Sequence, residues 1–163
     1  MENQHYIEII KQFAELIKEE NDFLTNASNL NALIYHSLAN INWVGFYMLK
    51  SNQLILSTFQ GKTACVKIDI GKGVCGKCVE LKKTLIVDNV HNFKGHIACD
   101  SASNSEITIP LFYKENVIGV FDVDSPIFSR FTDEENYLFL ELIKLLTNAS
   151  DMERVINYYK TDY

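Results

Sequence analysis

The sequence is short of positive charge, of long apolar runs and of linker-like composition. Its 15 lysine and arginine residues face 21 aspartate and glutamate residues, which leaves a net charge of −6, and that sign does not suit general binding to nucleic acid. No apolar stretch approaches the ~18 residues that a membrane-spanning helix requires. The first ten residues, MENQHYIEII, lack the basic start and the unbroken apolar run of a secretion signal. We therefore expect a cytoplasmic protein that binds neither nucleic acid nor membrane.

The remaining composition is that of one globular domain. A chain of 163 residues with 47% hydrophobic and 12% aromatic residues is long enough to bury a substantial core, and no internal repeat divides it. We therefore expect a single domain over residues 1–163. One basic stretch is interpreted as a solvated face, with anion or partner docking as the alternative. Its lysines are Lys62, Lys67, Lys72, Lys77, Lys82 and Lys83.

Both ends of the chain have the apolar spacing of amphipathic helices. A helical segment over residues 4–38 is expected to hold two helices, the first over 6–20, with the polar stretch TNASN (25–29) as the turn and cap between them. A long C-terminal helix is predicted over about 132–160, where Thr132 and Glu135 match a capping box. Its apolar stripe suits packing on a sheet and could extend into a helix–helix dimer contact.

The middle of the chain has the alternating pattern of β-strands. Two hairpins are predicted around Ser51–Asn52 and Lys114–Glu115, and Pro110 indicates a strand that lies at an edge or bends. Helices, then antiparallel strands, then a long helix predict an α+β fold with a central antiparallel sheet and a catalytic core over about 40–147. The six strands are predicted over 42–50, 53–60, 65–70, 84–88, 105–113 and 116–124.

The stretch GKGVCG (71–76) formally matches a dinucleotide-binding motif, but its surroundings do not fit one. Only seven residues separate Gly76 from Thr84, whereas a crossover with its helix needs at least ~10–12 residues. The glycines are therefore expected to form a tight entry to a short helix within VCGKCVELKK (74–83).

Four cysteines, which is the total for the chain, indicate redox or metal chemistry in a reducing compartment rather than structural disulfides. The pair in CGKC (75–78) could join a zinc site with Cys99 and either His96 or His91, or act as a redox pair at the start of a helix. Burial of Cys78 as a small hydrophobic residue is the simpler interpretation, and we expect no bound metal. The four are Cys65, Cys75, Cys78 and Cys99.

Three carboxylates are expected to converge, since Asp122 and Asp124 point to one face of their strand and Glu106 lies on a neighbouring strand. The alternative is that the aspartates only cap the turn that follows. Like charges held together raise the pKa of at least one carboxyl, which then stays protonated near neutral pH.

A thiol beside a protonated carboxyl suits the reduction of a sulfoxide. The candidate thiols are Cys65, which follows the Gly61 turn, and Cys99, in the small-residue loop GHIACDSASNSE (95–106). A thiolate can attack the sulfoxide sulfur once its oxygen accepts a proton. The sulfenic acid that is left can then be converted by a second thiol into a disulfide.

Six stretches together resemble the free methionine-R-sulfoxide reductases, which have a GAF fold. They cover about residues 40–146 and read NWVGFY, FQGKTACV, GKGVCG, VDNVHNFKGHIACDSASNSEI, GVFDVDS and RFTDEE. The resemblance implies a reductase of free methionine-R-sulfoxide that serves as a defence against oxidation. It also implies a homodimer, recycling by thioredoxin as an external reductant, and no bound cofactor.

The resemblance also assigns residues. It implies Cys99 as the nucleophile, Cys65 as the resolving thiol and Cys75 as a second candidate partner. By the same resemblance Glu106, Asp122 and Asp124 bind the substrate, and Trp43 and Tyr47 form an aromatic pocket for its S-methyl group.

Two points stay open at the level of sequence. Cys78 lies outside the family pattern, so CGKC offers a competing disulfide, and proximity to a helix start would make Cys75 the most acidic thiol. The rival function is a non-enzymatic GAF sensor of a small molecule or of redox state.

Overall fold

The computed structural model describes residues 2–95 and 102–160, which form five α-helices, six strands and a short 3-10 turn at Val90–Asn92. The helices are α1 (Glu2–Leu16), α2 (Phe23–Ser37), α3 (Gly73–Leu81), α4 (Asp133–Ala149) and α5 (Met152–Lys160). The strands are β1 (Trp43–Lys50), β2 (Gln53–Gly61), β3 (Lys67–Asp69), β4 (Leu85–Val87), β5 (Ser105–Tyr113) and β6 (Asn116–Ser125). Within this part of the chain, every helix is too short or too polar to cross a bilayer.

The six strands make one antiparallel sheet in the order β3-β2-β1-β6-β5-β4. Because side chains alternate along a strand, each central strand contributes to two separate apolar clusters. The larger cluster joins one sheet face to α1, α2, α4 and α5, and the smaller one joins the other face to α3. The predicted α+β fold is confirmed, and the face under α3 is the one that carries the predicted site residues.

The strand predictions are confirmed, including both hairpins. Ser51 and Asn52 adopt the positive φ angles, 45° and 66°, that a two-residue hairpin turn requires. Pro110 pairs with Val120 of β6 on one side of β5. On the other side, the pairing of β5 with β4 extends only as far as Thr108, which faces Leu85. Pro110 therefore lies where β5 has become an edge strand, and its missing N–H costs no ladder hydrogen bond.

The predicted turn at TNASN is wrong, because residues 25–29 lie inside α2. The helix begins earlier, where the Asp22 carboxylate accepts hydrogen bonds from the backbone N–H of Thr25 at 2.9 Å and from its hydroxyl at 3.0 Å. Asn26 is buried and donates to the carbonyl of Glu20 at 2.9 Å. A polar residue that seemed suited to a turn instead ties the helix to the preceding loop.

The predicted C-terminal helix starts as expected but is divided into α4 and α5. The capping box of Thr132 and Glu135 is formed. The break follows Ala149, where Ser150 is extended and the N–H of Asp151 donates to the carbonyl of Asn21 at 2.8 Å. The Asp151 carboxylate then accepts from the N–H of Arg154 at 3.1 Å, which caps α5. Both helices pack on the same sheet face.

Candidate functional site

The predicted carboxylates converge at the ends of β5 and β6. Glu106 is the register partner of Asp124, and Asp122 lies two residues earlier along β6, opposite Thr108. Glu106 and Asp122 are buried, while Asp124 is half-buried. The geometric expectation of three carboxylates on one face is therefore confirmed.

The helix α3 covers this face and adds a thiol to it. Its entry turn uses the positive φ angles of Gly71 and Gly73, 81° and 60°, as the sequence predicted. Cys75 follows in the first turn, is 3% exposed, and its Sγ donates to Glu106 Oε1 across 3.9 Å. Ligand atoms of Cys75, Glu106 and Asp122 all lie within 4.8 Å of one another. We call these three residues the acid–thiol cluster.

Burial sets the proton affinity of the acid–thiol cluster. It raises the pKa of Glu106 well above the usual value, and the negative charges of Asp122 and Asp124 raise that pKa further. Burial also raises the pKa of Asp122 to about 6, and Asp122 Oδ1 has no hydrogen-bond partner in the part of the chain described. Burial and neighbouring charges thus raise the pKa of Glu106, which confirms the expectation of a raised carboxyl pKa.

The prediction that Cys75 is the most acidic thiol is wrong. Burial, followed by the charges of Asp122 and Glu106, raises the pKa of Cys75 well above its usual value. These effects outweigh the helix start, whose benefit is about 1 kcal/mol. Burial also raises the pKa of Cys78 to about 12, so both remain neutral thiols.

The cysteines that the structure describes differ in oxidation state. Cys65 is half-buried and disulfide-bonded, whereas Cys75 and Cys78 are free and buried. Cys99, the predicted nucleophile, and His96 lie outside the described residues.

The zinc alternative for CGKC is not supported by the described side chains. The acid–thiol cluster is the one group among them that could share a metal ion, and neither Cys78 nor His91 joins it. His91 Nε2 instead lies 2.8 Å from Asn104 Oδ1.

The two predicted aromatic residues, Trp43 and Tyr47, lie on the same sheet face as the carboxylates. Trp43 is the register partner of Asp124 on β6, and both aromatic side chains are almost fully buried. Their rings are stacked with centroids 5.8 Å apart. Phe59 of β2 stacks on Trp43 as well, at 5.4 Å. Sequence reasoning missed Phe59, although it belongs to the quoted stretch FQGKTACV.

Comparison with known proteins identifies the class of this fold and then its family. Residues 30–149 match the GAF domain family model. The chain is 46% identical to the free methionine-R-sulfoxide reductase of Escherichia coli over 88% of this chain and 87% of that protein. It is also similar to the fRMsr of Staphylococcus aureus solved in complex with substrate, with 46% identity, a TM-score of 0.84, and coverage of 88% of this chain and 94% of that one.

A third similar protein, which also has a solved structure, is named as a sensor. It is a GAF sensor protein of Burkholderia vietnamiensis, with 43% identity, a TM-score of 0.88, and coverage of 92% of this chain and 96% of that one. Taken together, the matches show that the chain belongs to the GAF domain family and, within it, to the family of free methionine-R-sulfoxide reductases. It is therefore an oxidoreductase.

Proposed function

We propose that this protein reduces free methionine-R-sulfoxide to methionine. The observation that carries the proposal is the buried Glu106 carboxyl, whose pKa is raised and which lies within 4.8 Å of Asp122, on the sheet face that also carries Trp43 and Tyr47. A sulfoxide needs a proton donor at its oxygen, and a free amino acid needs negative charge at its ammonium group. The site offers both within one buried face.

Each group has a role in this proposal. Glu106 donates its proton to the sulfoxide oxygen, because it is the carboxyl whose proton affinity is raised most strongly by its surroundings. Asp122 and Asp124 bind the substrate ammonium, which would give the unpartnered Asp122 Oδ1 a donor. Trp43 and Tyr47 line the apolar side, where the S-methyl group binds.

Cys99 is the proposed nucleophile. Its thiolate sulfur attacks the substrate sulfur and forms an S–S bond while Glu106 protonates the sulfoxide oxygen. The S–O and S–S bonds then break as the protonated oxygen moves to the Cys99 sulfur, which leaves Cys99 as a sulfenic acid and releases methionine. The methionine sulfur gains the electron pair and Cys99 is oxidised. A second thiol then displaces water from the sulfenic acid and forms a disulfide.

Cys65 is the proposed resolving thiol. Supporting this, Cys65 is disulfide-bonded and half-buried, while Cys75 and Cys78 carry free, buried thiols. The sequence has one other cysteine, Cys99. The disulfide is recycled by thioredoxin, whose dithiol is oxidised as the disulfide is reduced. No bound cofactor is needed in this scheme, and we propose a cytoplasmic homodimer.

The test is turnover with purified epimers. In the presence of thioredoxin and its reductase, the reduced nicotinamide cofactor should be consumed with free methionine-R-sulfoxide and not with the S epimer. A peptide that contains methionine-R-sulfoxide should not react. Absence of turnover with the free R epimer would overturn the proposal. Tight binding of that epimer without turnover would support the sensor function instead.

A further inference from the structure

Phe59 belongs to an aromatic stack that includes Trp43 and Tyr47, the two residues proposed to line the substrate pocket. We define the aromatic stack as Phe59, Trp43 and Tyr47. Trp43 is its central member, inclined by only 14° to Phe59 and by 26° to Tyr47. Phe59 is the register partner of Gly45, which lies between Trp43 and Tyr47 on β1. The ring of Phe59 therefore reaches Trp43 across a position that has no side chain.

Two glycines leave room for the indole to lie flat on the strands. A Cβ on Gly45 would stand 2.7 Å from Cη2 of Trp43 and 2.5 Å from Cβ of Phe59. A Cβ on Gly61, whose φ is +129°, would stand 2.7 Å from Cδ1 of Trp43. Real Cβ atoms do not approach so closely. The indole thus extends from one glycine to the other, and any larger residue at either position would displace it.

A hydrogen bond fixes the remaining freedom of the ring. Nε1 of Trp43 donates to the carbonyl of Lys62 at 3.1 Å, which satisfies the only polar atom of a buried indole. Flipping the ring by 180° would break this bond. Lys62 begins the segment that leads to Cys65, so the indole also contacts the chain that carries the proposed resolving thiol.

We infer that Phe59 is a positioning residue for substrate binding: it holds the Trp43 indole flat over Gly45 and Gly61 as a rigid pocket wall. This inference rests on the proposed function for its effect on substrate, but the rigidity of the indole is a property of the free protein. Because the indole is already ordered in the free protein, substrate binding loses no further conformational entropy in ordering it, and the affinity for substrate is higher. Phe59 thus affects substrate binding through Trp43 and is not itself one of the proposed reacting groups.

Replacing Phe59 by leucine removes one ring of the stack and keeps an apolar side chain. An aromatic pair contributes about 0.5–1.5 kcal/mol beyond its buried area, so the KM for methionine-R-sulfoxide should rise by up to about tenfold. The value of kcat should stay within about twofold, because the proton donor and the thiols keep their positions. Phe59→Tyr should restore the wild-type KM. Phe59→Met, which also lacks a ring but has a flexible side chain that adapts to irregular space, is the second variant if the leucine variant folds poorly.

The experiment uses Trp43 as its own reporter, since it is the single tryptophan of the sequence. Time-resolved fluorescence anisotropy of the ligand-free protein should show a rigid indole in the wild type and in Phe59→Tyr, and a faster local motion in Phe59→Leu. Phe112→Leu is the matched control, because Phe112 is exposed on β5, and it should behave as the wild type.

Two results would overturn the inference. One is a Phe59→Leu protein whose indole stays rigid or whose KM is unchanged, and the other is a Phe59→Tyr protein as impaired as Phe59→Leu. If the wild-type protein itself does not consume methionine-R-sulfoxide, the proposed function fails, while the anisotropy of the free protein still decides whether Phe59 holds the indole.

Discussion

At the scale of single residues, one physical cause raises the proton affinity of three groups in the site. Burial raises the pKa of Glu106, Asp122 and Cys75, and the charges within the cluster reinforce this for Glu106 and Cys75. A buried cluster of acids and thiols cannot carry several negative charges at once. Protons are therefore stored where the proposed reaction needs one.

The first prediction concerns Glu106→Gln, which removes the proposed proton donor and keeps the shape. We expect kcat/KM to fall by about 10²–10⁴, the usual contribution of a general acid.

The wild-type protein should also lose stability as pH rises from about 4 through 6 and beyond, since the folded state holds protons on Asp122 and Glu106 that the unfolded chain releases. The variant should lose less, because one of these groups is gone.

The measurement is urea unfolding between pH 4 and 8 together with steady-state kinetics. Glu115→Gln, an exposed change on the β5–β6 turn, is the control and should alter neither. A Glu106→Gln protein with full activity would remove Glu106 from the mechanism.

The second prediction concerns Cys75, whose thiol donates to Glu106. If this hydrogen bond is its contribution, Cys75→Ser should keep most of the activity and Cys75→Ala should lose it, with single-turnover methionine release slowed in the alanine variant. A resolving thiol would behave differently, because serine and alanine would then be equally inactive with thioredoxin while the first turnover stayed fast. Rapid-quench measurement of methionine distinguishes the two roles.

At the scale of helices and strands, one charged residue joins three elements on the packing side of the sheet. Glu135 of α4 accepts from the Tyr6 hydroxyl of α1 at 2.6 Å and pairs with Arg130 at 2.7 Å. It also completes the capping box with Thr132. Burial alone would raise the pKa of Glu135, but the hydrogen bonds from Thr132, Tyr6 and Arg130 prevail and lower it to about 2.

The third prediction is that Glu135→Gln destabilises the fold at neutral pH by about 2 kcal/mol, because it leaves the half-buried Arg130 without its counter-charge. The lowered pKa makes the stabilisation by Glu135 complete above about pH 4.5 and lost as pH falls towards 2. The difference between variant and wild type should therefore shrink in acid. Urea titrations at pH 7 and pH 3 measure this, with Glu134→Gln as the control in the same helical turn; an equal difference at both pH values would contradict it.

How far the sequence predicts this fold depends on where the determining contacts lie. The strands and the convergence of Glu106 with Asp122 follow from alternation, which is local information. The turn at TNASN is wrong for a local reason, since Asp22 caps the helix three residues before Thr25. The break at Ser150 was missed because it depends on a contact distant in sequence, the bond from Asp151 to Asn21. The role of Phe59 was missed for the same reason, since it requires the register of β1 with β2.

At the scale of the whole molecule, one face of the sheet holds the main apolar core and the other face holds the candidate site. One face is covered by four helices and forms the larger apolar cluster. Among the residues that the structure describes, α3 is the helix over the smaller cluster on the other face, and the aromatic stack, the acid–thiol cluster and the half-buried Cys65 all belong to this side. Changes of redox state at Cys65 therefore take place away from the main core.

The fourth prediction follows from this separation. Cys99→Ser should abolish methionine formation, whereas Cys65→Ser should still form about one methionine per protein chain and then stop, because the sulfenic acid has no resolving thiol. Mass mapping after one equivalent of substrate should find the wild-type disulfide between Cys65 and Cys99, and a dimedone adduct on Cys99 in Cys65→Ser. The Cys65→Ser variant should keep the wild-type midpoint of thermal unfolding under reducing conditions, since Cys65 packs against the smaller cluster and not the larger one. A disulfide between Cys75 and Cys78 in the wild-type protein, or continued turnover by Cys99→Ser, would assign the chemistry to the buried pair instead.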